Sequence, residues 1–244
     1  MEWSDEAIVI GFRRHGETSA IAELMTRGRG RHLGLVRGGL SRRHAPVLQP
    51  GNKVRAVWRA RMEAQLGQFA LEPVAERAGR LMAMPHGAYG LSHMSVLLHL
   101  LPERDPHPGL FGVCDAILDA FDAPASAGQL LARFELAMLK ELGFGLELER
   151  CAATGGNNDL TFVSPRTGRA VSASAGAPYA ERLFALPTFL IGGVLPPTAE
   201  EVEDALRLTG YFLSRRVFEP RGLMLPEARQ GFLAALYRAR RTLS

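Results

Sequence analysis

The residues best suited to chemistry in this sequence are basic and evenly spaced. Between positions 53 and 61, Lys53, Arg55, Arg59 and Arg61 alternate with Val54, Ala56, Trp58 and Ala60. On an extended strand, side chains two apart share a face, so this period turns one apolar face inward and a row of cations outward. Like charges along one face repel each other, and a surface built only for solubility would mix the signs. A polyanion relieves the repulsion, and a guanidinium holds phosphate through two parallel hydrogen bonds. Arg27, Arg29 and Arg31 on a neighbouring turn and strand, with Arg37, Arg42 and Arg43 at the next strand end and loop, extend the same chemistry. Trp58, Phe69 and Phe12 fall on the inward side by alternation. Binding is therefore expected to rest on phosphates, to accept single and double strands, and to weaken steeply with salt.

Other chemistries find less support. His86, His93 and His99 lie near one helical segment, but no co-ligands accompany them. No phosphate loop, nucleophile elbow or zincin signature occurs, and no carboxylates cluster to hold catalytic metals. Cys151 has no base paired with it in the sequence. The expectation is a binding protein rather than an enzyme, with no cofactor and no metal.

Charge distribution points the same way. The net charge is +4, yet residues 1–80 carry fourteen Lys plus Arg against eight Asp plus Glu, a net of +6 that leaves −2 for the remainder. Only Lys53 and Lys140 are lysines; the ratio follows from overall composition, and the clustering is the informative part. With 47% apolar and 22% charged residues, the 244-residue chain can bury a core, and its length suits two modules. Cys114 and Cys151 make no disulfide framework, no leader pattern opens the chain, and no apolar run approaches the ~20 residues of a spanning helix. A reducing, cytoplasmic location without membrane attachment is expected.

The elements that must position the cations come first in the chain. Strands are predicted over 7–12, with Ile8, Ile10 and Phe12 on one face, then over 18–26, 31–37, from 53 onward, and 65–74. Arg27-Gly28-Arg29-Gly30 is a hairpin turn. Five short strands in about eighty residues imply a small barrel of the oligonucleotide-binding type. Helical spacing follows from Pro85 to Leu101, through Leu110 to Phe121, from about Gly128 to Leu142 before Gly143, after the capping box Thr198-Ala199-Glu200-Glu201, and after Pro226. The fold class is α+β: an oligonucleotide-binding-type barrel over 1–80, then an all-α domain over 81–244, with an irregular insertion at about 150–178.

This order of features resembles the bacterial recombination mediator RecO family over essentially the whole chain. The resemblance rests on Arg37-Gly38-Gly39-Leu40-Ser41-Arg42-Arg43, on Leu101-Pro102-Glu103 through Pro108-Gly109-Leu110-Phe111, and on Arg133-Phe134-Glu135-Leu136 leading to Leu142-Gly143-Phe144. Cys151-Ala152-Ala153-Thr154-Gly155 and Arg221-Gly222-Leu223-Met224-Leu225-Pro226-Glu227-Ala228-Arg229 complete it. It implies a nucleoid-associated DNA repair and recombination protein that anneals complementary strands. Such proteins work with RecR and with the acidic tail of single-strand-binding protein to load RecA. Many relatives bind zinc through two Cys-x-x-Cys pairs around the insertion. Here only Cys151 remains, with Thr154, Ser172 and Ala175 at or near the other positions, so the region resembles a degenerate zinc finger and no zinc is expected. An RNA-binding accessory factor on the same barrel is the alternative, and preference for RNA in competition discriminates it.

Overall fold

The computed structural model describes residues 1–243. The chain forms two compact units, one holding residues 1–122 and the chain from 228 onward, the other residues 123–227.

Five strands build the first unit: β1 (Glu2–His15), β2 (Ser19–Thr26), β3 (Gly30–Val36), β4 (Lys53–Arg59) and β5 (Gln68–Ala75). Their order is β1-β2-β3-β5-β4, and β4 returns to pair antiparallel with β1. The β3–β5 contact is the one parallel junction, a single pair between Leu35 and Gln68. Inside lie Ala7, Val9, Leu24, Val54, Ala56, Trp58 and Phe69. β4 follows its sequence period, with Val54, Ala56 and Trp58 buried while Arg55 and Arg59 are exposed.

β1 departs from expectation. It is 14 residues long, and Ala7 and Val9, not Ile8 and Ile10, join the core cluster inside the sheet. Ile8 and Ile10 are buried as well, because helices of the same unit cover the outer face, where the Ser95 hydroxyl donates to the Ile10 carbonyl at 3.0 Å. A strand covered on both faces reads as a continuous apolar run, which hides its alternation. A bulge between Val9 and Gly11 then shifts the register. Phe12, expected in the core, is 36% exposed.

Helices α1 (Ala78–Met82), α2 (Pro85–Leu98) and α3 (Pro108–Ala120) belong to this unit together with nearly all of α7 (Glu227–Leu243). Proline opens α2 and α3, where its missing N–H costs nothing. The buried Asn52 caps α1 from a distance: its side-chain oxygen accepts from the Arg77 and Ala78 N–H groups at 2.8 and 2.9 Å, and its amide donates to the Pro46 carbonyl at 2.8 Å. Phe121 stacks on Phe232 of α7 with centroids 5.8 Å apart.

The second unit holds α4 (Pro124–Glu141), a small sheet of β6 (Leu160–Val163), β7 (Ala170–Ser172) and β8 (Phe184–Ala185) in the order β7-β6-β8, the single turn α5 (Ala173–Gly176), and α6 (Ala199–Phe212). Gly143 follows α4 with φ of +83°, the left-handed stop read from the sequence. α6 opens on the expected capping box, in which Thr198 and Glu201 satisfy each other's backbone N–H. α4 and α6 are tied by a buried hydrogen bond from Thr209 to Glu135. Among the described residues no helix is long and apolar enough to cross a membrane.

Candidate nucleic-acid interface

The ten basic residues singled out by spacing do not form one surface. On β4 the cations point outward as expected, but the strand register sets carboxylates beside them. Glu6 of β1 and Glu72 of β5 lie opposite Arg55, and Glu2 lies opposite Arg59. Arg59 pairs with Glu2 at 2.8 Å. Lys53 donates to Asp115 at 2.9 Å and reaches Glu6 at 3.3 Å. Arg27 holds Glu6 at 2.6 Å and lies over the Phe111 ring at 4.7 Å. Arg31 pairs with Glu23 and donates to the Leu101 carbonyl at 2.8 Å. The outer face of β4 is thus a mixed ladder of charge rather than a cationic ribbon. Hydrogen bonds from Arg27 and Lys53 hold Glu6 below the usual carboxylate range, and Arg59 does the same for Glu2. A phosphate would have to displace these carboxylates.

Arg29 sits over the Trp3 ring at 5.7 Å. Arg37, Arg42, Arg43, Arg55 and Arg61 are exposed and make no carboxylate contact among the described residues. Three of these gather at one end of the sheet. Arg37 follows β3, and Arg42 and Arg43 lie in the next loop, whose Leu40 N–H donates to the Thr18 carbonyl at 3.0 Å. Across the sheet Val36 pairs with Ala20, and Ala20 with Arg14. The end of β1 therefore brings Arg13 and Arg14, exposed and without carboxylate partners among the described residues, to the same edge as Arg37. Glu17 is the only acid in segments 12–20 and 36–45. Phe12 shares a face of β1 with Arg14 by alternation, so an exposed aromatic stands beside the cations.

Arg13 and Arg14 were missed because the apolar run ends before them; their adjacency just past that run was the available signal. The six residue steps from Arg31 to Arg37 rise roughly 20 Å along the strand direction, so Arg27, Arg29 and Arg31 occupy the opposite end of the sheet.

The histidines do not converge. The His86 Nε2–H donates to the Asp122 carbonyl at 3.1 Å, while His99 binds Glu23 at 2.9 Å and the Ser95 carbonyl at 2.6 Å. Among the described residues no group of three His, Cys, Asp or Glu side chains is placed to hold a metal ion.

Residues 1–77 match the family model described as recombination protein O N terminal, and residues 86–223 match recombination protein O C terminal. The chain belongs to the recombination protein O family. Among relatives of that family, the DNA repair protein RecO of Xanthobacter autotrophicus is 65% identical over 98% of this chain and 98% of its own length. The proteins of the same name from Rhizobium etli and Methylobacterium nodulans are each 57% identical, over 98% and 96% of this chain and 94% and 97% of their own lengths. The two family matches leave out residues 78–85, which contain the short helix α1, whereas the compact units divide the chain after α3.

The zinc that the family resemblance implies can be tested against the donors present. The Cys151 sulfur lies 3.5 Å from the Ser172 hydroxyl and accepts from the Ser172 N–H at 3.3 Å. The Thr154 hydroxyl also bonds the thiol. One thiol with two hydroxyls is not the set of about four N, S or carboxylate ligands that structural zinc takes, so the site does not fit the metal.

Proposed function

We propose that this protein binds DNA through the Arg13, Arg14, Arg37, Arg42 and Arg43 end of an oligonucleotide-binding-type barrel and acts in DNA repair as a strand-annealing recombination mediator. The observation that carries this reading is the gathering of five exposed arginines, with Glu17 the only acid in their segments, in a chain of the recombination protein O family. Two single strands repel through their phosphates. A surface that neutralises several of them and releases condensed counterions lowers that barrier without breaking a covalent bond, so no enzymatic step is required. Phosphate contacts carry no base code, which suits single and double strands alike.

On this reading the partners are RecR and the acidic tail of single-strand-binding protein, the outcome is RecA loading, and the setting is the bacterial cytoplasm at the nucleoid. The curated relatives carry the name DNA repair protein, and we extend that role to this chain. The insertion around Cys151 is a zinc-finger-like region that has lost its metal and is held by hydrogen bonds.

The test is annealing of complementary oligonucleotides coated with single-strand-binding protein, with and without this chain. Acceleration at stoichiometric protein is expected. Absence of both acceleration and DNA binding would overturn the proposal, and preference for RNA over DNA at fixed salt would favour an RNA-binding accessory role.

A further inference from the structure

The end of the sheet opposite the arginine cluster opens into a cavity of about 260 Å³, lined among others by Trp3, Trp58, His32, Arg29, Arg104 and Glu63. Trp3 and Trp58 face each other across β1 and β4 and stack with centroids 5.7 Å apart and planes 16° from parallel. His32 stands edge-on to both at 5.1 Å. Three chain segments fix these walls. The Trp58 Nε1–H donates to the Leu66 carbonyl at 3.0 Å, and Gly67, at φ of +65°, passes so close that a Cβ would lie 2.3 Å from the indole nitrogen. The Arg104 N–H donates to the Arg31 carbonyl at 2.7 Å. There Gly30, at φ of +67°, leaves no room for a side chain against the Asp105 backbone. The aromatic floor is thereby held rigid between separate parts of the chain.

We infer that this cavity takes a single nucleobase splayed from a bound strand, stacked on the partly exposed Trp3 that the buried Trp58 backs. The inference rests on the reading of the chain as a DNA-binding protein. Size argues for it: the cavity is smaller than the roughly 300–1,000 Å³ that encloses a drug-sized ligand, and admits one flat ring system with its sugar outside. Charge argues the same way. Glu2 and Glu63 line the cavity with Arg29 and Arg104, so a phosphate gains little inside, whereas a base offers donors to carboxylates and a π-face to the Trp3 indole. His32 adds an acceptor. Its Nδ1–H is used by the Leu33 carbonyl at 3.0 Å, which leaves the lone pair on Nε2, and burial pushes its pKa down so that the ring stays neutral. Arg29 makes no ion pair among the described residues and can meet the phosphate beside the base.

Trp3 and Trp58 are the only tryptophans in the chain, so emission excited selectively from tryptophan reports on this cavity. The experiment compares a single-stranded oligonucleotide, an abasic strand of equal length and adenosine monophosphate. Binding is followed by anisotropy of a labelled strand and occupancy of the cavity by tryptophan emission. The base-bearing strand is expected to quench emission and to bind about tenfold more tightly than the abasic strand, a typical yield of one base–aromatic stack. Trp3→Ala should abolish that advantage, bringing base-bearing and abasic strands to equal affinity, and Trp3→Phe should restore part of the difference. Equal affinity and equal quenching by the two strands of the wild-type protein would overturn the inference while leaving DNA binding intact. Quenching by the mononucleotide that the strand cannot reproduce would overturn the assignment to a strand. Failure of every strand to bind would instead sink the DNA-binding reading itself.

Discussion

Lys53, the first residue of the alternating strand, donates its ammonium to Asp115 of α3 at 2.9 Å, and the other oxygen of the same carboxylate accepts from the largely buried Arg77 at 2.8 Å. Burial alone would raise the Asp115 pKa, but hydrogen bonds from Lys53 and Arg77 prevail and hold it below the usual range. The lysine therefore fastens a helix to the sheet. Asp115→Asn should lower stability by roughly 2–3 kcal/mol, somewhat less than a fully buried pair because the carboxylate keeps some solvent contact. Thermal unfolding checks this. DNA affinity should change little, and a large gain in affinity would show that Lys53 is a ligand residue held back by Asp115.

The five unpaired arginines at the other end make a sharper contrast. Reversing Arg37, Arg42 and Arg43 to Glu should lower DNA affinity at least about tenfold and reduce the log–log salt slope by about 2 to 3, at ~0.7–0.9 per lost phosphate contact. Reversing Arg55, Arg59 and Arg61 should do much less, because Glu2, Glu6 and Glu72 already stand beside that row. Anisotropy titrations over a salt series measure both. The opposite ranking would return the binding surface to β4.

How much of this was legible in the sequence depended on distance along the chain. The period of β4, the glycine after α4 and the Thr198 capping box are local patterns, and each is found where its spacing put it. The partners of the cations are not local. Glu2 meets Arg59 and Glu6 meets Lys53 only through the β1–β4 register, and nothing in either segment alone announces it. Arg14 reaches Arg37 through two strand pairings for the same reason. Trp3 precedes the apolar run that predicts the first strand, whereas β1 begins at Glu2, so nothing local places the indole in the sheet.

Metal content separates the insertion from a working zinc finger. With Cys151 bonded to Ser172 and Thr154, purified protein should hold well under one equivalent of zinc, and chelator should leave its unfolding temperature unchanged. A full equivalent removed by chelator together with a loss of stability would refute the hydroxyl-for-thiolate account.

His99 makes stability depend on pH. Its hydrogen bond to Glu23 at 2.9 Å raises its pKa above the ordinary 6.5 despite partial burial and the nearby Arg31, while hydrogen bonds from His99 and Arg31 hold the Glu23 pKa down in spite of desolvation. A raised pKa contributes stability that is complete below the unfolded value and is lost as pH rises through the folded one. The contribution should therefore be present below pH 6.5 and fall away as pH rises above it, and it should stay under about 1 kcal/mol because the imidazole is 42% exposed. His99→Gln compared with the parent protein across this range measures it. A difference that does not shrink with rising pH would show that the ring acts through packing alone.

The capping box at α6 yields a prediction confined to the second unit. The Thr198 hydroxyl accepts from the Glu201 N–H at 3.2 Å, and the Glu201 carboxylate returns the bond to the Thr198 N–H at 2.9 Å while also accepting from Thr188. Thr198→Ala leaves the first-turn donor without its acceptor and should cost about 1 kcal/mol, with Thr198→Ser or Thr198→Asp recovering most of it. Hydrogen exchange locates the effect: amides in the first turn of α6 should exchange faster, while those of β2 and β3, in the other unit, should not. Since the arginine cluster lies entirely in that other unit, DNA affinity should be unchanged, and a parallel loss of binding would mean that the second unit takes part in holding the strand.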